Sequence, residues 1–128
     1  MEYYDWLTGV DLALYPSYYE PWGYTPLESE AFGVPTITTD LAGFGVWVEE
    51  RSEDASRLTN GVEVLHRDDG NYFDVCSRIA DDIVWLTEQP AAAVAQMGER
   101  ARKLAAQAGW KQFVENYVEA YRKALSSK

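Results

Sequence analysis

Residues 10–39 read VDLALYPSYYEPWGYTPLESEAFGVPTITT, and the fold turns on them. Val10 to Tyr15 is a short apolar run closed by Pro16-Ser17, which suits a strand buried inside a parallel sheet. Thr25-Pro26-Leu27-Glu28 has the form of a capping box, with Thr25 at the N-cap, Pro26 at the first helical position and Glu28 at N3. The helix it starts should end near Phe32, because Gly33 suits a C-terminal cap and Pro35 cannot continue it. Thr36-Ile37-Thr38-Thr39 is β-branched and strand-like. Strand, helix, strand in this order is one parallel β-α-β unit.

The pattern extends in both directions. Upstream, Tyr3-Tyr4-Asp5-Trp6-Leu7 suits the tail of a helix stopped at Gly9. Downstream, Gly43 and Gly45 in LAGFGVWV mark a turn that opens another short helix, and Gly61-Val62-Glu63-Val64-Leu65 is a third strand candidate. Past about Asp69 the texture becomes helical. Tyr72, Val75, Cys76, Ile79, Ile83 and Leu86 recur at three and four, as one apolar stripe. Pro90 starts a further helix with Val94, Met97, Ala101, Leu104 and Ala108 on one face, until Gly109 interrupts it. Trp110, Phe113, Val114, Tyr117, Tyr121 and Leu125 form the last stripe. The stripes read as packing faces. The expected class is α/β: a parallel sheet of about three strands with flanking helices and a helical C-terminal half, in one domain over 1–128.

The totals bound the function. At 128 residues, 47% hydrophobic and 25% charged, the chain reads as globular. No eighteen apolar residues run together, so no membrane partner is expected. MEYYDWLTG carries acids where an export signal carries lysines. The lone Cys76 suits a reducing compartment and reads as a buried small hydrophobe, so a cytoplasmic location is expected. The formal net charge is -10, and no Lys, Arg or His precedes Arg51. A nucleic-acid backbone would be repelled. His66 and Cys76 lack partners at metal-ligand spacing, so no metal is expected. Asp68-Asp69 and Asp81-Asp82 read as solvated faces.

Parallel α/β sheets bind ligands beyond the carboxyl ends of their strands. SYYEPWGY is such a loop, with Glu20 on it and Glu28 on the first turn of the next helix. Both acids can face one mouth. The backbone N–H groups of Gly23, Tyr24 and Thr25 lie near a helix start, where free donors and the dipole favour an anion. Carboxylates for hydroxyls beside amides for phosphate suit a sugar phosphate. A structural alternative stands beside this: a capping-box Glu28 needs no ligand.

The longer string YPSYYEPWGYTPLESEAFGVPTITTDLAGFG closely resembles the donor-site segment of glycogen synthases, specifically the eukaryotic-type retaining glycosyltransferases of GT-B architecture. It carries their two glutamates separated by seven residues, Glu20 and Glu28 around PWGYTPL, followed in order by GVP and TT-x-L-x-GFG. The likeness runs to a Trp110…Phe113…Tyr117…Tyr121 helix similar to the closing helix of that domain. It implies the C-terminal half of a Rossmann-like donor-binding domain. Carried over by position, Glu20 would contact the donor sugar's hydroxyls and stabilise positive charge at the anomeric carbon. Glu28 would hold the ribose hydroxyls. Trp22, Gly23, Tyr24 and Thr25 would offer backbone amides to the sugar and the diphosphate. The implied reaction moves glucose from a nucleotide-glucose, expected to be UDP-glucose, onto an α-1,4-glucan, with retention and without metal or cofactor.

This sequence departs from that pattern in three ways. The cationic clamps a diphosphate leaving group needs are missing from the loop region, so the chain alone is expected not to transfer glucose. Met97 to Gly109 holds only Arg100, Arg102 and Lys103 among alanines, which suits a solvated face rather than the sugar-phosphate sensor of some members. A three-strand sheet exposes an edge, which self-association into a homo-oligomer would cover. A noncatalytic carbohydrate or nucleotide-sugar binding module is the alternative reading. A hydrolase using Glu20 and Glu28 as an acid–base pair ranks last.

Overall fold

The structure, a computed structural model, describes residues 3–52 and 54–126. The ends of the expected 1–128 span therefore lie outside the described residues. A five-residue helix α1 (Tyr3–Leu7) precedes β1 (Ala13–Leu14), α2 (Tyr24–Ala31), β2 (Thr36–Thr39) and α3 (Gly43–Glu49). A 3₁₀ turn (Leu58–Asn60) leads into β3 (Val62–Leu65), and α4 (Tyr72–Thr87), α5 (Ala91–Ala105) and α6 (Trp110–Ser126) complete the described chain. The strands form one parallel sheet in the order β1-β2-β3. The α/β reading holds, with three strands and the helical half where the periodicity puts them.

β2 is the centre. It pairs Thr36 with both Ala13 and Val62, and all four of its residues are buried. β-branched side chains fit that environment, since they pack well on a pleated surface covered on both sides. β3 shows why two faces exist. Val62 and Val64 pack with Phe44, Trp47, Val48 and Leu104, whereas Leu65 packs with Ile37, Leu58, Val75 and Leu86. Successive residues of a strand point to opposite faces, so each face has its own apolar cluster.

α2 ends as its sequence predicts. Gly33 N–H donates to Glu30 O at 2.8 Å and Val34 N–H to Ser29 O at 2.9 Å, the paired bonds of a Schellman cap. Its start differs. The helix begins at Tyr24, Gly23 is the N-cap in a left-handed conformation, and no side chain caps it. The Thr25–Glu28 capping box is not formed, because Thr25 already lies inside the helix.

Three further expectations are corrected. Cys76 is exposed, as are Tyr72 and Ile83; the seam of α4 that is turned inward runs Val75, Ile79, Asp82, Leu86. Asp82 is therefore not a solvated acid. Arg78 Nε donates to its Oδ2 at 2.9 Å, and Arg78 Nη2 lies 2.7 Å from Oε1 of the buried Glu63 on β3. The α6 stripe is also not a core face. Phe113 packs on the core, but Trp110, Val114, Tyr117, Tyr121 and Leu125 are exposed. Arg100 and Arg102 are exposed as expected, yet they act as clasps: Arg100 Nη1 donates to Thr59 O at 2.5 Å and Arg102 Nη2 to Phe32 O at 2.9 Å.

The interior also holds two acids whose charge is disfavoured. Glu30 is fully buried and its carboxyl oxygens meet no donor among the described residues, so burial pushes it well above the usual range. Burial, with Asp82 nearby, pushes Glu63 up to about 7 even though Arg78 opposes the shift. Both groups keep a proton in the folded chain at a pH where the unfolded chain has released it. Their contribution to stability is full below about 4.5, the ordinary glutamate value, and is lost as pH rises, through about 7 for Glu63. Denaturant titrations should accordingly show stability falling as pH rises from about 5 through about 7. Glu30→Leu should flatten the slope and raise the midpoint most at the alkaline end. Stability that climbs over this interval would contradict the assignment.

Candidate functional site

The site residues gather at the carboxyl end of the sheet. The loop from Pro16 to Gly23 does not stand free there; it runs alongside the chain that leaves β2. Thr39 Oγ1 donates to Ser17 O at 2.8 Å, and Glu20 N–H donates to Leu41 O at 3.3 Å. Gly43 N–H donates to Glu20 O at 3.0 Å and Phe44 N–H to Trp22 O at 2.6 Å. Glu20 and Ala42 form an isolated parallel bridge, so the β1–β2 pairing resumes beyond the strands. The backbone of Glu20 is thus fixed on both its N–H and its C=O.

Its side chain is free. Glu20 is exposed, and its carboxylate accepts no hydrogen bond and joins no ion pair among the described residues. The stem lies over Gly23: a side chain added there would sit 3.5 Å from Glu20 Cγ and 3.1 Å from Pro26 Cγ. Gly23 has φ 107, a region natural side chains rarely enter. The left-handed backbone and the close approach of Pro26 call for glycine here, and Glu20 lies in van der Waals range of the start of α2. No side chain caps that helix, so the N–H groups of its first turn are open, with the positive end of its dipole. Tyr24 and Thr25, on that turn, are exposed.

Glu28 follows one turn later and is half-buried. Tyr4 from α1 donates its hydroxyl to Glu28 Oε1 at 3.2 Å, and the Glu28 charge raises the Tyr4 phenol. Tyr4 is itself stacked on Phe32, with ring centroids 5.4 Å apart. One oxygen of Glu28 thus has a tyrosine partner, which the capping-box reading did not anticipate. Trp22 is half-buried and packs its ring on the core, edge-on to Phe113 at 5.2 Å and to Phe44 at 5.8 Å. An open groove of about 360 Å³ lies between Trp22, Tyr24, Leu27 and the Trp110, Phe113 and Tyr117 side of α6.

The β2 and β3 exits add residues the sequence reading passed over. Asp40, directly after β2, accepts from His66 Nδ1 at 2.5 Å and from the Arg67 N–H at 3.0 Å. That bond to Asp40 is the main cause raising the His66 imidazole. Arg67 is buried at the same end of the sheet. The signal that could have found it is position: it stands two residues past β3, where such folds place ligand-facing groups. Among the described residues no group of His, Cys, Asp or Glu is arranged to hold a metal ion, and no helix is long and apolar enough to cross a membrane.

The family model described as glycogen synthase matches residues 1–128. The chain belongs to the glycogen synthase family. It is 34% identical over 125 residues to "Glycogen [starch] synthase" of Neurospora crassa, covering 98% of this chain and 17% of that protein. It is 31% identical over 126 residues to the liver glycogen [starch] synthase of Mus musculus, at 98% and 18% coverage. With isoform 1 of Saccharomyces cerevisiae it shares 31% over 120 residues, at 94% and 17%. The chain spans less than a fifth of the length of these relatives. Among the described residues, Glu20 is an exposed acid whose carboxylate has no hydrogen-bond or ion-pair partner, and it lies beside the uncapped start of α2.

Gly23→Ala tests the seat of Glu20. The strained backbone and the contact with Pro26 should cost about 1–3 kcal/mol in denaturant unfolding. The Glu20 amide should exchange faster at the same time. Wild-type stability and exchange would show that the left-handed glycine does not hold the acid in place.

Proposed function

We propose that this chain supplies the donor half-site of a retaining glycosyltransferase that moves glucose from a nucleotide-glucose, UDP-glucose in our reading, to an α-1,4-glucan. The single observation that carries the reading is Glu20: an exposed, unpartnered carboxylate on a doubly hydrogen-bonded backbone, resting on the glycine that starts an uncapped helix. Its relatives carry the name glycogen [starch] synthase, which fits a sugar-handling site.

The chemistry follows from residue types. Breaking the bond to the anomeric carbon leaves positive charge on the sugar and negative charge on the departing diphosphate. Glu20 accepts hydrogen bonds from the sugar hydroxyls and lies on the side where a carboxylate favours the developing cation. The open N–H groups of Tyr24 and Thr25 face the diphosphate, where free donors and the helix dipole favour negative charge. Glu28 keeps one oxygen for the ribose hydroxyls while Tyr4 holds the other. The nucleotide sugar is the substrate, and our reading includes no metal or cofactor. A single cysteine fits a cytoplasmic setting.

Charge sets the limit of what the chain does alone. No basic residue precedes Arg51, and the chain carries -10 overall. A leaving diphosphate needs cations close by, so we assign its clamps, and the acceptor, to protein beyond these residues. Purified chain with UDP-glucose and a glucan primer should show no glucose transfer. Titrating UDP-glucose should nonetheless shift the Gly23, Tyr24 and Thr25 amide resonances at millimolar concentration, and Glu20→Gln should weaken the shift several-fold. Turnover by the chain alone would contradict the half-site reading. Shifts that ignore Glu20→Gln would favour the alternative of a noncatalytic binding module with a different contact set.

A further inference from the structure

We infer that Arg67 is a positioning residue for Glu20: it fixes the exit of β1 and so aims the loop that carries the acid. The sequence separates the two by nearly fifty residues, but the parallel sheet brings the β3 exit across to the β1 exit. Arg67 is 7% exposed. Its Nη1 donates to Pro16 O, the first carbonyl of the loop. Its guanidinium carbon lies 3.7 Å from the centroid of the Tyr18 ring, two residues further along. The backbone N–H of Arg67 is held in turn by Asp40 Oδ1 at 3.0 Å, which ties the β2 exit into the same cluster.

This is an unusual place for a cation. No carboxylate among the described residues forms an ion pair with Arg67, and its buried Nε has no hydrogen-bond partner. A buried charge without a counter-ion is costly, and a carbonyl plus an aromatic face only partly compensate it. An arginine serving stability alone would be expected to meet one of the many acids of this chain, as Arg78 meets Glu63 and Asp82. What Arg67 touches instead is the stretch that leads into Glu20.

The other ties on that loop come from β2, the turn after it and the start of α3, through Thr39, Leu41, Gly43 and Phe44. They hold Ser17, Glu20 and Trp22 along one side. Tyr15 and Ser17 are tied to β2, by Tyr15 N–H to Ile37 O at 2.9 Å and by Thr39, while among the described residues the Pro16 carbonyl and the Tyr18 ring are met from the β3 side, by Arg67. Without it, the stretch around Pro16 and Tyr18 would lose its hold on the β3 side, and the backbone from which the Glu20 side chain springs would be less firmly placed. A site that must stabilise charge gains most when its acceptor is already in place.

The inference rests on the reading of Glu20 as the donor-facing acid, and its test separates the two. Arg67→Met keeps the stem and removes the donors, Arg67→Lys keeps the charge, and Tyr18→Leu removes the ring from an exposed position. Native-state amide exchange of Glu20, Gly43 and Phe44 is compared with that of Thr38 and Val64 in the sheet. In Arg67→Met the loop amides should exchange at least tenfold faster while the sheet amides stay within twofold. Arg67→Lys should recover part of the protection, and Tyr18→Leu should loosen the loop by a few-fold. Unchanged loop exchange in all variants, or loss in loop and sheet together, would overturn the assignment. UDP-glucose titration of the same proteins is read separately: absent binding in wild type would count against the donor reading, and the exchange result would still decide whether Arg67 aims the loop.

Discussion

The candidate site depends on one constraint, the resumption of backbone pairing between the chains leaving β1 and β2. The two segments separate after Leu14 and Ile37 and meet again at Glu20 and Ala42. A loop of eight or nine residues would ordinarily sample many shapes, and ordering it costs conformational entropy at each position. Here the hydrogen bonds of Glu20, Gly43 and Phe44 offset that cost, and the ring of Trp22 anchors the loop in the cluster of Phe44, Trp47 and Phe113. A mobile connection thereby becomes a platform. The acid on it faces solvent because its backbone, not its side chain, does the anchoring.

Electrostatics divides the molecule in the same way. Glu63 and Asp82 are buried against Arg78, and Arg100 and Arg102 clasp carbonyls of neighbouring segments. Arg78 thus ties α4 to β3, while Arg100 and Arg102 tie α5 to the 3₁₀ turn and to the end of α2. In our reading the mouth is left with Glu20, Glu28 and the open turn of α2, with Arg67 in the interior and His66 held by Asp40 at the same end of the sheet. Such a surface can recognise hydroxyls and one anionic group, but it offers little to neutralise a leaving diphosphate. That imbalance is why we read the chain as half of a site.

Much of this was legible in the sequence, and the reasons are specific. β-branched Thr36–Thr39 and the Gly33–Pro35 stop fixed β2 and the end of α2, because Gly and Pro act through local backbone geometry. The acids were legible through order and spacing, as a family pattern. The misreadings arose where tertiary contacts decide. Thr25 and Glu28 fit a capping box, but the left-handed Gly23 starts the helix earlier and Glu28 meets Tyr4 instead. Cys76 and Ile83 fit an apolar stripe, yet α4 turns Asp82 inward because Glu63 and Arg78 meet it there. The α6 stripe was real in period, but only Phe113 finds the core. Arg67 was legible by its position two residues past β3, but its role was not, because its partners, Pro16 and Tyr18, lie far away in the sequence.

A crystal structure of the chain soaked with UDP-glucose tests the central claim most directly. The account predicts the glucosyl ring beside Gly23, with its hydroxyls in hydrogen-bond contact with the Glu20 carboxylate and the diphosphate against the first turn of α2. Density for the donor at any other place, or Glu20 folded into an internal contact while the sugar is bound, would contradict it.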